Sequence, residues 1–512
     1  MKKNIIFYLI GIVLLNSCSD EFLKISPETS ITSGIFYKTE SHFDLALVAA
    51  YTPLRSIVYP GMYMDEMRAD NTFFRYYAPD RGPANWVEDI IQWTDQSQTT
   101  AVNNRYYSDY TGISRTNTIL SRLQTADLSD QFKQKISGET LFLRAFYYFD
   151  LVTHYGGVPL YLEEVIDEKT SYKSRSSADE VYNQIITDLK SAIPNLPSVT
   201  SFPQSGRATA GAAKMLLAKA YMSKTQREYS LAESELRDIL KMNYDLLDNY
   251  ADVFNSVNKN HKESIFEIQF REGPDGQESN FVYYMMPKTA NTAIITGLAV
   301  NNVTPGGWNV PNQEFIDSYE EGDLRLPASI KIIEGTLNGG DPYFDPVVIL
   351  AIKDVGKYVP EPDKVYYPYI SKFIHGPYSR PNNTGENWPV FRFADALLLL
   401  AENLVQQGKA SEALPLVNRV RNRAGLSSLT EVTLDDVLNE RRHELAFENH
   451  RWTDLIRTGK VIGIMTEYGQ KMKQKYDFLP ENSYNITENR LIYPIPYRET
   501  QVNPDLQQNP GY

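Results

Sequence analysis

Trp86 and Trp93 stand in a stretch, Met62 to Thr100, that also carries Tyr63, Phe73, Phe74, Tyr76 and Tyr77 among Gly, Pro, Asp and Asn. Aromatic faces give large contact area at low entropic cost, so an aromatic-rich loop region is a candidate ligand surface. Its indoles can stack on the apolar face of a sugar ring while Asp70, Asn71, Arg75 or Asn103 bonds the hydroxyls. That union of ring and polar group is what sugar recognition requires. A second set of candidates, Tyr283, Tyr284 and Trp308, lies in a later region rich in Gly, Pro and Asn. The competing reading for each ring is burial, since tryptophan is large and highly buried on average. Trp388 and Trp452 stand beside helical core patterns and read as structural.

Other chemistry is less well supported. Glu440 and His443 have the Glu-x-x-His spacing that sets two ligands on one helix face, as in carboxylate-bridged metal bundles. Only one copy occurs, and Phe447 fills the position where a His-Glu-x-x-His zinc motif needs its second histidine. Cys18 is the only cysteine, which removes internal disulfides, thiol nucleophiles and Cys-based zinc sites. The 64 acidic residues guarantee chance carboxylate pairs, so a glycosidase stays open, yet nothing singles out one pair. No Gly-x-Ser-x-Gly elbow, Gly-x-Gly-x-x-Gly turn or Gly-Lys-Ser/Thr phosphate loop is present. The expectation is binding without catalytic residues, metal or cofactor.

These residues need a scaffold, and its centre is Phe391 to Gly425. Apolar residues from Ala394 to Ala401 are too dense for a surface helix and predict a core helix covered on several sides. Gly408 supplies a left-handed stop, Ser411 a cap, and Leu414, Val417 and Val420 continue a second helix with Pro415 in its opening turn. Such a hairpin, with Ala401 and Ala413 beside large residues, is of tetratricopeptide type, and Gly211 to Asn243 looks like another copy. One hairpin cannot bury its own apolar face, but stacked hairpins can.

Further helices are predicted over Ser41 to Leu54, Tyr106 to Leu123, Gln131 to Gly157 and Ala178 to Ile193. Another runs from a Thr433 cap to about Glu448. Its run Glu440-Arg441-Arg442-His443-Glu444 is either a solvated face or a buried ion network, and the flanking Phe447 and Trp452 favour the network. Residues 261–387 form a large insertion in which Ser264 to Phe270 alternates like a strand and Val347 to Ile352 is a short apolar run. An insertion this long is expected to hold short strands and ligand-facing loops. The proline-rich end, from Leu491 to Tyr512, is expected to pack back on the body.

With 512 residues and no Gly/Ser/Pro-rich linker, the chain reads as one interlocked body divided into 18–260, 261–387 and 388–512 after a leader of 1–17. Its net charge of -13 argues against nucleic acid or an anionic lipid surface as main partner. Lys2 and Lys3 precede an apolar run, Ile5 to Leu15, that is too short to span a bilayer. The run ends in Leu15-Asn16-Ser17-Cys18, which resembles a bacterial lipobox with Cys18 as the lipidated residue. No later stretch is apolar enough to cross a membrane, so anchoring would rest on lipid, with more than one acyl chain.

Several stretches together resemble the SusD/RagB family of outer-membrane nutrient-binding lipoproteins. They are the CSDEFL start, LRAFYYFDLVTHYGGVPL at 143–160, GRATAGAAKMLLAKAY at 206–221, FRFADALLLLAENL at 391–404, NRVRNRAGL at 418–426, ERRHELAFENHRWTDLIRTG at 440–459 and the NPGY ending. The resemblance implies a mainly α-helical, SusD-like fold of four tetratricopeptide-type helix pairs, with a large insertion of irregular loops and short strands. It also implies a lipid anchor on the outer face of the outer membrane, an acidic export tag at Ser19, Asp20 and Glu21, and a role as lid on a SusC-like TonB-dependent transporter. Such proteins capture glycans, or sometimes peptides, for import. The family's recognition residues lie in variable loops, so no ligand contact transfers from the resemblance. A helical-repeat scaffold binding peptide or protein is the alternative reading.

Overall fold

The computed structural model describes residues 36–74, 85–303, 306–339 and 346–512. The leader, Cys18, Arg75, Tyr76 and Tyr77 lie outside the described residues.

Four packed helix pairs form the scaffold. Helix α1, Glu40–Gly61, packs on α2, Thr100–Thr125, and α3, Asp130–Tyr155, on α4, Ala178–Ala192. The third pair is α5, Ala210–Ser223, with α6, Tyr229–Ile239; the fourth is α7, Phe393–Gln406, with α8, Ala410–Arg423. Contacts of α2 with α3, α4 with α5 and α6 with α7 join the pairs in one row, which is how stacked hairpins bury a continuous apolar face. Side chains of Thr39, Ser129, Ser177 and Thr209 each accept a backbone N–H at the start of α1, α3, α4 and α5, satisfying donors that a helix cannot pair internally.

Every residue of α7 from Phe393 to Leu404 is buried, including three polar ones. Asp395 accepts from Arg441 at 2.7 Å, Glu402 takes both prongs of Arg457 at 2.7 and 2.6 Å, and Asn403 donates to the Tyr229 carbonyl oxygen at 3.0 Å. A helix wholly inside the body tolerates charge only where each charge is matched. Gly408 turns the chain in the left-handed region, φ 75°, as its position suggested. Two details differ from the sequence reading. Ser411 lies within α8 rather than capping it, and Pro415 sits beyond the opening turn, on the exposed face, where the Ser411 carbonyl freed by the proline ring can meet water.

The stretch after α1 was expected to be loop. Instead α1 runs into a π-helical turn, Met62–Met67, and a short helix follows at Asn85–Ile91. The turn brings Asp65 to Arg105 at 2.8 Å and to His154 at 2.5 Å inside the body. A π-turn breaks the 3.6-residue period, which is why the apolar pattern loses its repeat there.

The insertion contains the expected short strands. Strand β2, Ser264–Ile268, pairs antiparallel with β7, Trp388–Arg392. Strand β4, Ile330–Leu337, lies between β5, Val347–Asp354, and β6, Val365–Ile370. Strand β1, Thr72–Phe73, pairs with β3, Val310–Pro311, and so ties the first loop region to the insertion.

Helix α9, Leu434–Glu444, is capped by Thr433 and Asp436 in a reciprocal box and ends four residues sooner than its pattern suggested. Phe447 and Asn449 adopt left-handed conformations, φ 66° and 64°. Its charged run is a buried ion network: Glu440 accepts from Arg325 at 2.6 Å and Arg421 at 3.2 Å, while Glu444 accepts from Arg392 and Arg423. The C-terminal segment packs back, with Tyr493 donating to the Met64 carbonyl and Asn509 to that of Tyr155, at 2.7 and 3.0 Å.

Candidate functional site

A line of edge-to-face aromatic rings crosses from the end of α1 to the insertion. Ring centroids are 5.0 Å apart for Trp86 and Tyr63, 5.2 Å for Tyr63 and Tyr59, and 4.5 Å for Tyr59 and Tyr284. Tyr284 stands 5.5 Å from Trp308, which stands 5.8 Å from Phe74. Only Tyr63 is fully buried; the other five rings keep part of their surface accessible. The line exists because α1 places Tyr59 and the π-turn places Tyr63 one turn later, while the β1–β3 pairing sets Phe74 beside Trp308. Edge-to-face contact holds each ring by its neighbour and gives rigid apolar faces with little entropy left to lose.

Two of the polar groups along this line are neutral. Burial, with the Tyr284 hydroxyl beside it, pushes the Tyr59 phenol well above its ordinary value, so it stays a neutral hydroxyl. Asn309, next to Trp308, is buried, its backbone N–H donates to the Tyr284 carbonyl at 3.1 Å, and its side-chain amide has no hydrogen-bond partner among the described residues. Rings with neutral donors and acceptors suit a neutral, hydroxyl-rich ligand better than an ion.

Of the residues singled out from sequence, Trp86, Trp308 and Tyr284 come together here. Trp93, Tyr283, Asp70 and Asn71 do not, and the ligand-facing role expected of them is corrected. Trp93 is 2 % exposed, with Arg68 over its ring at 4.1 Å and Trp452 edge-on at 5.3 Å. Tyr283 is 1 % exposed. The Asp70 carboxylate binds Arg451 at 2.7 and 2.9 Å and Arg442 at 2.9 Å. Burial raises its pKa, but the two guanidinium groups win and hold it well below the usual carboxylate range. Asn71 is buried between Glu66, to which it donates at 3.1 Å, and Arg442, from which it accepts at 2.8 Å. These residues look like ligand groups in sequence because a buried ion cluster uses the same residue types as a polar site.

Tyr59 was not singled out, although its spacing of four from Tyr63, just ahead of the aromatic stretch, was the available signal. Trp388 and Trp452 are buried, in keeping with a structural role. Glu440 is taken up by its arginines, and His443 lies 2.9 Å from the Ser318 hydroxyl, so this pair serves the core. Among the described residues no group of three His, Cys, Asp or Glu side chains is placed to hold a metal ion. Nor, among them, is any helix long and apolar enough to cross a membrane.

A row of helix pairs presenting aromatic rings from the end of its first helix, the following segment and the insertion defines a binding scaffold. Comparison with known proteins gives it a family: residues 262–512 match the SusD family model, and residues 21–222 match a SusD-like model described as starch-binding associating with outer membrane. The chain belongs to the SusD family, a family of non-catalytic binding proteins. SusD-like protein P38 of Formosa agariphila is 28% identical over 541 residues, covering 98% of this chain and 97% of that one. Among solved structures, surface glycan-binding protein A from Bacteroides fluxus superposes with a TM-score of 0.75 at 25% identity, over 93% of this chain and 100% of that one. A laminarin binding SusD-like protein does so with a TM-score of 0.73 at 27% identity, over 93% and 100%.

Proposed function

We propose that this chain is a lipoprotein of the outer membrane, anchored through lipid on Cys18 and facing the cell exterior, that captures an oligo- or polysaccharide. It would deliver that glycan to a SusC-like TonB-dependent transporter. The observation that carries the reading is the line of accessible rings, Trp86, Tyr59, Tyr284, Trp308 and Phe74, drawn from two segments far apart in the chain. Pyranose rings have an apolar face and a hydroxyl rim, and the site offers aromatic faces with neutral polar groups between them. Arg75, Tyr76 and Tyr77 follow Phe74 directly in the sequence and are proposed as further ligand-binding residues. Two relatives of the same fold are named for binding glycan and laminarin, which adds weight to a sugar over a peptide.

The test is affinity electrophoresis of the chain from Ser19 through gels containing laminarin, starch, xylan, galactomannan or pectin. Retardation by one polysaccharide, sharply weakened in Trp308→Ala and Trp86→Ala with folding intact, supports the reading. No retardation by any glycan, with binding to a peptide library instead, would overturn it. Transfer is tested by pulling down detergent-solubilised outer-membrane proteins with the lipidated chain; the reading expects a TonB-dependent barrel in stoichiometric amount.

A further inference from the structure

A second cleft lies on another part of the helical row. It has a volume of about 640 Å³, within the range of small-ligand sites, and opens between α2, the segment 159–172 and the helical turn Tyr497–Val502. Tyrosines dominate its walls. Tyr107 and Tyr110 come from α2, Tyr161 and Tyr172 from the facing segment, and none of them belongs to the aromatic line described above.

Two of these rings are locked. The Tyr110 hydroxyl donates to the Pro159 carbonyl at 2.8 Å, the Tyr161 hydroxyl to that of Ser171 at 2.7 Å, and the two rings meet edge-to-face at 6.0 Å. Tyr172 stands at the mouth, 45% exposed. The Glu499 carboxylate lies beside the Tyr107 phenol, and Arg115, exposed, has one nitrogen donating to the Ala49 carbonyl at 2.6 Å. Lys173 also stands over the Tyr161 ring, its Nζ 5.3 Å from the centroid, so acid and base are mixed around the cleft and charge of one sign is not gathered as a phosphate site requires. A concave surface of fixed phenol rings with hydroxyl, carboxylate and guanidinium groups at its rim suits a neutral polyhydroxylated ligand.

We propose that this tyrosine cleft is a second carbohydrate-binding site, which holds another segment of the same glycan. The inference rests on the reading that the ligand is a glycan, and extends it from one contact point to two. Two weak sites on one rigid body raise the affinity for a long chain well above that for a short one, because the second contact is made at high effective concentration.

The experiment is titration calorimetry of the chain from Ser19 with the polysaccharide retarded in the electrophoresis panel and with its hexasaccharide. It compares wild type, Tyr172→Ala, Glu499→Gln, Trp308→Ala and the Trp308→Ala/Tyr172→Ala double variant. Tyr172 is exposed, so its loss leaves the fold intact, which the melting temperature checks. The expected result is about a tenfold or greater loss of polysaccharide affinity in Tyr172→Ala. Residual hexasaccharide binding in Trp308→Ala should disappear in the double variant. Unchanged affinity for both ligands in Tyr172→Ala and Glu499→Gln, with all binding lost in Trp308→Ala, would overturn the second site and leave the first. Binding that ignores Trp308→Ala but is lost in Tyr172→Ala would support the cleft and remove the aromatic line. If wild type binds no carbohydrate in the panel, the glycan reading and the cleft's role fall together.

Discussion

Arg392 grips Glu448 with two nitrogens, Nε at 2.8 Å and Nη2 at 2.9 Å, and both side chains are fully buried. Arg392 closes strand β7 just before the central helix, and Glu448 follows α9. The same guanidinium also serves Glu263, at 2.9 Å, and Glu444, at 2.5 Å, while Lys372 of the insertion reaches Glu448 at 2.6 Å. One cation thus fastens the insertion to the C-terminal helices.

Replacing Arg392 by Met leaves three buried carboxylates short of a partner. Breaking a buried pair from one side costs about 3–5 kcal/mol, much more than an exposed pair contributes. The expected outcome is a large drop in the urea midpoint, against little change for Lys241→Ala, whose ion pair with Asp238 is exposed. Equal midpoints for the two variants would contradict the assignment.

Trp93 and Trp308 are expected to separate cleanly. Trp93→Ala empties a packed site and should destabilise by about 3–5 kcal/mol. Its folded fraction should bind glycan as wild type does. Trp308→Ala, half-buried, should cost far less stability and sharply weaken retardation in the gel. The reverse pattern would place the ligand elsewhere.

Gly112 of α2 and Gly463 of the helix Val461–Lys475 should respond to alanine with opposite signs. A Cβ on Gly112 would meet the Tyr147 ring at 2.2 Å, and that ring is pinned by its hydroxyl bond to the Ala50 carbonyl at 2.7 Å. The clash should cost about 1–3 kcal/mol and outweigh the gain in helix propensity. A Cβ on Gly463 meets nothing within 4 Å, so that alanine should stabilise by up to about 1 kcal/mol. Thermal unfolding of the two variants reads both signs.

Two buried groups are expected to tilt stability against pH in opposite directions. Burial pushes the Glu66 carboxyl up to about 7 from 4.5, despite hydrogen bonds from Asn71 and Asn449. The folded state therefore keeps a proton that the unfolded chain has released, and stability falls as pH rises from 4.5 to about 7. Burial also holds the His450 imidazole down at about 4 from 6.5, so the unfolded chain takes up a proton first, and stability falls as pH drops from 6.5 to about 4. Over the shared window the slopes oppose one another. Glu66→Gln removes one of them, so the variant should lose about 1.4 kcal/mol more per pH unit than wild type on acidification. Parallel stability profiles for the two proteins across that window would refute the Glu66 shift.

The helices were legible because each rests on local chemistry. Apolar spacing at 394–401, the left-handed stop at Gly408 and the cap at Thr433 are properties of a few adjacent residues, and the structure shows each in place. The motifs of the SusD family were likewise readable along the chain, and with them the mainly helical fold. The π-turn at Met62–Met67 was not, because it is set by the arginine and histidine that Asp65 meets from α2 and α3.

The site divides along the same line. By itself the sequence determined that Trp86, Tyr284 and Trp308 stand in aromatic-rich stretches, and it carries no nucleophile elbow or phosphate-loop motif. Only the tertiary structure decided which rings remain accessible. Trp86 and Trp93 share one stretch and one residue type, yet Trp93 turns inward beneath Arg68 while Trp86 joins Tyr63 in the surface line. Asp70 and Asn71 were equally plausible hydroxyl binders until Arg442 and Arg451, some 370 residues later, took their polar atoms. Burial and ion pairing depend on partners that are distant in the chain, so residue type and local spacing cannot fix them.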